Sequence, residues 1–137
     1  MTPHTPTRLL IVDDETSFVR ALARLLQREG YTVDTAGNGA LALLQLRRQR
    51  YDVVVCDLRM PALDGPAFYA WLCQEHAYLR QRVLFLTGDS LRAESATFLA
   101  QCGERWLYKP CPATAVRETL QQMLQAVQPS HARSAGA

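Results

Sequence analysis

Short apolar runs alternate along this chain with stretches in which apolar residues recur every three or four positions. Uninterrupted runs rich in Val, Ile and Leu are typical of strands buried on both faces, and the wider spacing is typical of amphipathic helices. Strands are predicted at 9–12, 31–35, 52–56, 83–86 and 106–108. A helix is predicted after each strand, through Phe18–Leu26, Leu41–Leu46, Pro66–Leu72, Ala93–Ala100 and Pro112–Val127.

A strand followed by a helix five times over predicts an α/β domain with a parallel sheet covered by helices on both faces. We assign residues 8–127 to this domain. Residues 1–7 are expected to form a flexible N-terminus. The segment QPSHARSAGA at 128–137 has the composition of a linker and is predicted to be a disordered tail.

Polar residues end four of the predicted strands. Asp13 and Asp14 follow the first strand, Asp57 the third, Thr87 the fourth and Lys109 the fifth. Open parallel sheets form their sites outside the carboxyl ends of their strands, so these side chains are expected to meet at one edge. Lys109 is the only lysine among 15 Lys and Arg residues, which suggests a use for a compact point charge.

Three carboxylates in one crevice repel one another, and a divalent cation with a preference for oxygen ligands relieves that repulsion. Beside such a cation, the carboxylate of Asp57 can act as a nucleophile toward phosphorus. Lys109 and the Thr87 hydroxyl can then neutralise the oxygens of the phosphoryl group, and Gly88 leaves room for it.

Composition excludes several other classes of protein. The net charge of +2 and the scattered arginines do not favour a nucleic-acid partner. No apolar stretch approaches the ~18 residues of a membrane span, and the N-terminus lacks the pattern of a secretory signal. The four cysteines have no zinc spacing and are interpreted as reduced thiols of a cytoplasmic protein.

The motifs around these strand ends resemble the receiver domain of the bacterial two-component response regulators. They are IVDDE at 11–15, VVVCDLRMPALDG at 53–65, LTGD at 86–89 and WLYKP at 106–110, and the resemblance covers residues 7–126. It implies the flavodoxin-like (βα)5 doubly wound fold, with five parallel strands in the order 2-1-3-4-5.

The resemblance also implies the roles of individual residues. Asp57 would be the phosphoacceptor. Mg²⁺, with Mn²⁺ as the alternative, would be held by Asp13, Asp14, Asp57 and the backbone carbonyl of Arg59. Lys109 would bind the phosphoryl group.

Two further roles follow from the same resemblance, each shared by two residues. Thr87 and Trp106 would form the conformational switch, although Trp106 is larger than the usual aromatic residue of the family. Arg59 and Asp89 would tune the lifetime of the phosphoaspartate. Cys111 stands where the family commonly has phenylalanine.

The implied partners are proteins. The donor would be a histidine kinase or a histidine phosphotransfer protein, and output would pass to a downstream protein through the fourth helix, fifth strand and fifth helix. Neither direct nucleic-acid binding nor membrane insertion is expected, and a homodimer is left open. The chain would serve as a free-standing regulator or as the receiver segment of a hybrid sensor histidine kinase.

Other functions are less consistent with these residues. Taken singly, Asp13, Asp14 and Lys109 also fit as helix-entry acids and a loop cation. An aspartate-nucleophile phosphohydrolase needs a second acid two residues after the nucleophile, where this chain has Arg59. A nucleotide enzyme or flavodoxin-like electron carrier needs a phosphate-binding loop where this chain has Asp13-Asp14-Glu15. A degenerate docking scaffold is disfavoured because every key position is retained.

Overall fold

The computed structural model describes residues 6–59, 65–88 and 93–136, within which strands and helices alternate as predicted. The strands are β1 (Arg8–Val12), β2 (Thr32–Ala36), β3 (Val53–Asp57), β4 (Val83–Thr87) and β5 (Arg105–Tyr108). The helices are α1 (Thr16–Arg28), α2 (Gly39–Arg48), α3 (Gly65–Glu75), α4 (Ala93–Cys102) and α5 (Ala113–Gly136). A short 3-10 helix, Ala77–Leu79, precedes β4.

All five strands are parallel and lie in the order β2-β1-β3-β4-β5, which confirms the predicted doubly wound fold. The chain builds outward from β1 to β2 and then returns to place β3 on the other side of β1. This reversal opens a crevice at the carboxyl ends of β1 and β3, where a site is expected in such a sheet.

Each face of the sheet has its own apolar core. Phe68 and Leu72 of α3 pack with Phe85 on one face, and the buried residues of α2 and α4 join them. On the other face, Leu22 of α1 and Leu120 of α5 pack against alternate residues of the same strands. Because successive side chains of each strand point to opposite faces, the same strands pack against helices on both sides of the sheet.

Local sequence signals account for several element ends. The Asn38 side chain accepts a hydrogen bond from the Leu41 N–H (2.9 Å) and caps α2. Gly30 has φ +97° after the end of α1, a conformation that favours glycine. At Gly65 a Cβ would lie 2.8 Å from the Leu58 carbonyl oxygen, so only glycine permits this approach of α3 to the end of β3.

The C-terminal helix is longer than its composition suggests. Its backbone runs to Gly136, whereas a disordered tail was predicted from Gln128. The division of the chain at residues 7 and 127 stays a prediction, and residues 1–5 lie outside the described part.

Candidate functional site

Three acidic side chains from two adjacent strands meet at the crevice. Asp13 and Asp14 follow β1, Asp57 ends β3, and one carboxylate oxygen of each lies within 4.8 Å of the other two. Asp13 is 3% exposed and Asp57 7% exposed, whereas Asp14 is exposed to solvent. The convergence expected from the strand ends is therefore present in the fold.

Lys109 reaches this acidic cluster from the far side of the crevice. Its backbone N–H donates to the Thr87 carbonyl (2.7 Å), which carries the β4–β5 pairing one residue beyond the strand. Its Nζ lies 2.8 Å from Asp13 Oδ2, 3.0 Å from Glu15 Oε1 and 3.7 Å from Asp57 Oδ2. The ammonium is thus closer to Asp13 and Glu15 than to Asp57.

Glu15 and Phe18 belong to the site but were not assigned a role from the sequence. Glu15 forms an ion pair with Lys109, and the Phe18 ring centroid lies 5.1 Å from Lys109 Nζ. The sequence did carry a signal for both residues. Glu15 is the third consecutive acid after β1, and Phe18 lies one helical turn beyond it.

Two buried oxygen atoms at the site lack hydrogen-bond partners among the described residues. Thr87 Oγ1 is one of them, in a residue that is only 1% exposed. Asp13 Oδ2 is the other. It lies 2.8 Å from Lys109 Nζ, so charge attraction is strong, but the direction does not satisfy a hydrogen bond. A buried polar atom without a partner costs about 1–3 kcal/mol, so the Thr87 hydroxyl favours a ligand in this crevice.

The crevice widens into a cleft of about 550 Å³. Arg59 and Gly88 line it together with Lys109 and Cys111. The Arg59 backbone N–H donates to Asp57 Oδ1 (3.2 Å), which holds the carboxylate of Asp57 in place. Asp89, predicted to affect phosphate lifetime, lies outside the described residues.

Burial and repulsion shift the titration of Asp57. Burial, followed by the nearby charge of Asp13, raises the pKa of Asp57 from 3.8 to about 6, and Lys109 only partly opposes this. Burial alone would lower the pKa of Lys109, but the neighbouring carboxylates of Asp13, Glu15 and Asp57 outweigh that effect, and the pKa is raised. The cluster therefore holds more negative charge than Lys109 can neutralise.

Asp57→Asn is expected to stabilise the metal-free protein at neutral pH. Because the folded pKa of Asp57 is raised above 3.8, its ionisation destabilises the fold progressively from about pH 4 to pH 6. The substitution should therefore leave the unfolding free energy nearly unchanged near pH 4. Above pH 6 it should raise that free energy by about 2–3 kcal/mol. Urea unfolding in EDTA at both pH values measures this, and a variant less stable than the parent at pH 7.5 would contradict it.

The predicted switch residue Trp106 lies at the edge of the sheet. It is 36% exposed, and its ring meets that of Tyr108 edge-to-face at 4.8 Å. In the β4–β5 register Trp106 pairs with Phe85, and Tyr108 pairs with Thr87. Trp106 therefore lies on the strand next to Thr87, two residues before the residue that pairs with Thr87, and on the same face of the sheet.

Comparison with known proteins now decides the family. Residues 9–125 match the family model described as the response regulator receiver domain. The chain belongs to this family. A receiver domain is a signalling domain of two-component systems. The match confirms the family that the sequence motifs implied, and the strand order confirms the fold.

The receiver domain resembles parts of longer bacterial regulators. It is 31% identical over 127 residues to the transcriptional regulatory protein GlrR of Escherichia coli (strain K12), and the match covers 93% of this chain but 28% of that protein. The chain thus spans about a quarter of the length of that curated relative.

Solved structures show the same likeness. The chemotaxis response regulator CheY4 of Vibrio cholerae is 31% identical with a TM-score of 0.78, covering 87% of this chain and 99% of that one. The signal receiver domain of a signal transduction histidine kinase from Syntrophus aciditrophicus is 28% identical with a TM-score of 0.78, covering 88% and 92%. Within the described residues, no helix is both long enough and apolar enough to cross a membrane.

Proposed function

We propose that this receiver domain accepts a phosphoryl group on Asp57 from a phosphohistidine donor, in a reaction that depends on Mg²⁺. The observation that carries the proposal is the meeting of Asp13, Asp14 and Asp57 within 4.8 Å, with the Lys109 ammonium 3.7 Å from Asp57. A nucleophile, a place for a hard cation and a fixed positive charge are thereby combined in one cleft.

In the transfer, a carboxylate oxygen of Asp57 forms a bond to phosphorus while the bond between phosphorus and the donor's imidazole nitrogen breaks. The nitrogen keeps the bonding electron pair, and because the other ring nitrogen of the donor carries a proton, the imidazole leaves neutral. The products are an aspartyl phosphate and an unmodified histidine. Asp57 must be ionised to attack, and its pKa of about 6 leaves it mostly ionised at neutral pH even before a cation binds.

The residues present fit a divalent cation. Asp13 Oδ2 is buried without a hydrogen-bond partner among the described residues, and burial, followed by repulsion from Asp13, raises the pKa of Asp57, so the cluster lacks positive charge. Asp13, Asp14, Asp57 and the Arg59 backbone carbonyl would hold Mg²⁺, or Mn²⁺ in its place. When bound, the ion supplies charge neutralisation for the phosphoryl oxygens.

Lys109 and Thr87 would recognise the phosphoryl group itself. Lys109 Nζ is already positioned across the cleft from Asp57, and the buried Thr87 hydroxyl has a donor to offer. At Gly88 a Cβ would come no closer than 3.9 Å to Lys109, so the chain leaves open space there. Arg59 at the cleft wall, together with Asp89, would tune how long the phosphoaspartate survives.

Phosphorylation would act on partners by shifting a conformational equilibrium. The Thr87 hydroxyl would turn toward the new phosphoryl group, and the half-exposed Trp106 ring would move into the space that it leaves. Both changes emerge at the surface of α4, β5 and α5, which we propose as the face that contacts a downstream protein.

The donor and the wider protein are further parts of the proposal. A histidine kinase or a histidine phosphotransfer protein would supply the phosphoryl group. The likeness to a receiver domain of a histidine kinase supports a place in a hybrid kinase, and the likeness to CheY4 supports a free-standing regulator. An aspartate-nucleophile phosphohydrolase remains disfavoured, because Arg59 stands where the second acid is needed.

The proposal is tested by incubating the protein with acetyl phosphate and measuring its intact mass by mass spectrometry. We expect a phosphoryl adduct that hydroxylamine removes, that forms with Mg²⁺ and that is absent with EDTA. Asp14→Asn should raise the Mg²⁺ concentration for half-maximal adduct by at least about tenfold, because even outer partners of a metal contribute 10–100-fold.

Glu75→Gln provides the control, since it removes an exposed carboxylate at the end of α3. An adduct that forms equally well in EDTA, or one that resists hydroxylamine, would rule out the proposed chemistry.

A further inference from the structure

Arginines cluster at the amino ends of the strands, at the opposite end of the sheet from the cleft that contains Asp57. Arg8 begins β1, Arg50 lies in the loop before β3, and Arg82 directly precedes β4. These three strands are neighbours, and backbone hydrogen bonds align their amino ends: Asp52 N–H to the Arg8 carbonyl (2.7 Å) and Val54 N–H to the Arg82 carbonyl (2.9 Å). All three arginines line one cavity of about 350 Å³, a full strand length away from Asp57.

The cavity carries a net positive charge. The carboxylate of Asp52 lines it but already accepts the backbone N–H of Arg8 at Oδ2 (2.8 Å). The Arg8 guanidinium makes a long ion pair with Asp34 (3.5 Å). In the part of the chain that the structure describes, neither Arg50 nor Arg82 has a carboxylate within ion-pair distance. Three guanidinium groups are therefore opposed by two carboxylates, Asp34 and Asp52, which leaves a net positive charge.

Aromatic residues hold this basic surface in place. The Arg50 guanidinium lies 3.9 Å from the centroid of the Tyr78 ring, in cation–π contact. The Tyr78 hydroxyl accepts the Tyr51 backbone N–H (3.2 Å), and the Tyr51 hydroxyl donates to Asp34 (2.7 Å). A stacked guanidinium keeps its in-plane N–H donors available, so Arg50 loses little freedom when it binds an anion.

We propose that this amino-end cavity binds the phosphate group of a small ligand. Planar guanidinium forks match the oxygens of phosphate, and such charge-assisted hydrogen bonds are among the stronger polar contacts. The cavity is at the lower end of the range that holds small molecules, which is about 300–1,000 Å³. Its distance from Asp57 makes this site independent of the phosphoacceptor reaction.

Calorimetric titration with pyrophosphate, in EDTA and at physiological salt, tests the proposal. We expect saturable binding that Arg50→Gln and Arg82→Gln each weaken by about tenfold or more, because each removes a charge-assisted contact. Arg80→Gln is the matched control. It removes the same charge from an exposed side chain two residues from Arg82 that does not line the cavity, and it should change the affinity less than about twofold.

A parallel titration with adenosine monophosphate separates the two sources of phosphate. Tighter binding than pyrophosphate assigns the site to an organic phosphate, and weaker or equal binding assigns it to an inorganic one. Arg50 is exposed, so its substitution leaves a folded protein for the test, and an unchanged yield of phosphoryl adduct from acetyl phosphate verifies this. No saturable binding, or an equal loss of affinity in Arg80→Gln, would overturn the proposal.

Discussion

Asp57→Asn is expected to abolish the incorporation of phosphoryl groups from acetyl phosphate. An amide nitrogen carries no charge and its oxygen is a poor nucleophile, so no bond to phosphorus forms. No other described acid of the cluster has the same placement. Asp13 is already in contact with Lys109 (2.8 Å), and Asp14 is exposed at the rim. Intact mass after incubation with Mg²⁺ and acetyl phosphate measures the effect.

The same variant separates loss of chemistry from loss of structure. Asp57→Asn is expected to be more stable than the parent in EDTA, and urea unfolding that shows this excludes loss of structure as the cause of a missing adduct. Glu75→Gln should incorporate phosphoryl groups like the parent. An adduct of unchanged yield in Asp57→Asn would show that another residue is the acceptor.

Lys109→Gln is expected to impair both phosphorylation and folding. Without the ammonium, the transferring phosphoryl group loses a fixed positive charge, and removal of one such group slows a reaction by about 100-fold. In metal-free buffer the variant should also lose about 3 kcal/mol of unfolding free energy, because the buried carboxylate of Asp13 is left without its partner. Phosphorylation rates and urea unfolding in EDTA measure the two effects.

Arg20→Gln is the control for Lys109→Gln, since it removes a cation from an exposed position on α1. In metal-free buffer, Asp57→Asn should raise the unfolding free energy and Lys109→Gln should lower it. If Lys109→Gln were as stable as the parent and phosphorylated at the same rate, the ion pair with Asp13 would have neither a structural nor a catalytic role.

The predicted elements agree with the fold where the sequence signal is local. The β-branched run at Val53–Val55 depends on neighbouring residues alone, and it forms a strand as predicted. The predicted ends were less accurate for the second strand, which was placed at Tyr31–Thr35 and lies at Thr32–Ala36. This strand is at the edge of the sheet, where partial exposure weakens the apolar pattern.

The convergence of the acids could be anticipated because parallel strands place their carboxyl ends at one edge of a sheet. Asp13, Asp14 and Asp57 therefore needed only the strand–helix alternation to be placed together. Which acid would pair with Lys109 could not be anticipated, because that depends on the reach of one flexible side chain across the crevice. The structure pairs it with Asp13 and Glu15.

Residue order along this chain was enough to establish a five-stranded parallel sheet with an acidic crevice, since both follow from periodicity and from the residue that ends each strand. Contacts between residues that are distant in the sequence were decided only by the tertiary structure. Two examples are the Thr87 hydroxyl, which has no hydrogen-bond partner in the described part of the chain, and the arginine cavity at the amino ends of β1, β3 and β4. Burial and spacing in three dimensions determine whether a side chain has a partner, and the linear pattern contains neither quantity.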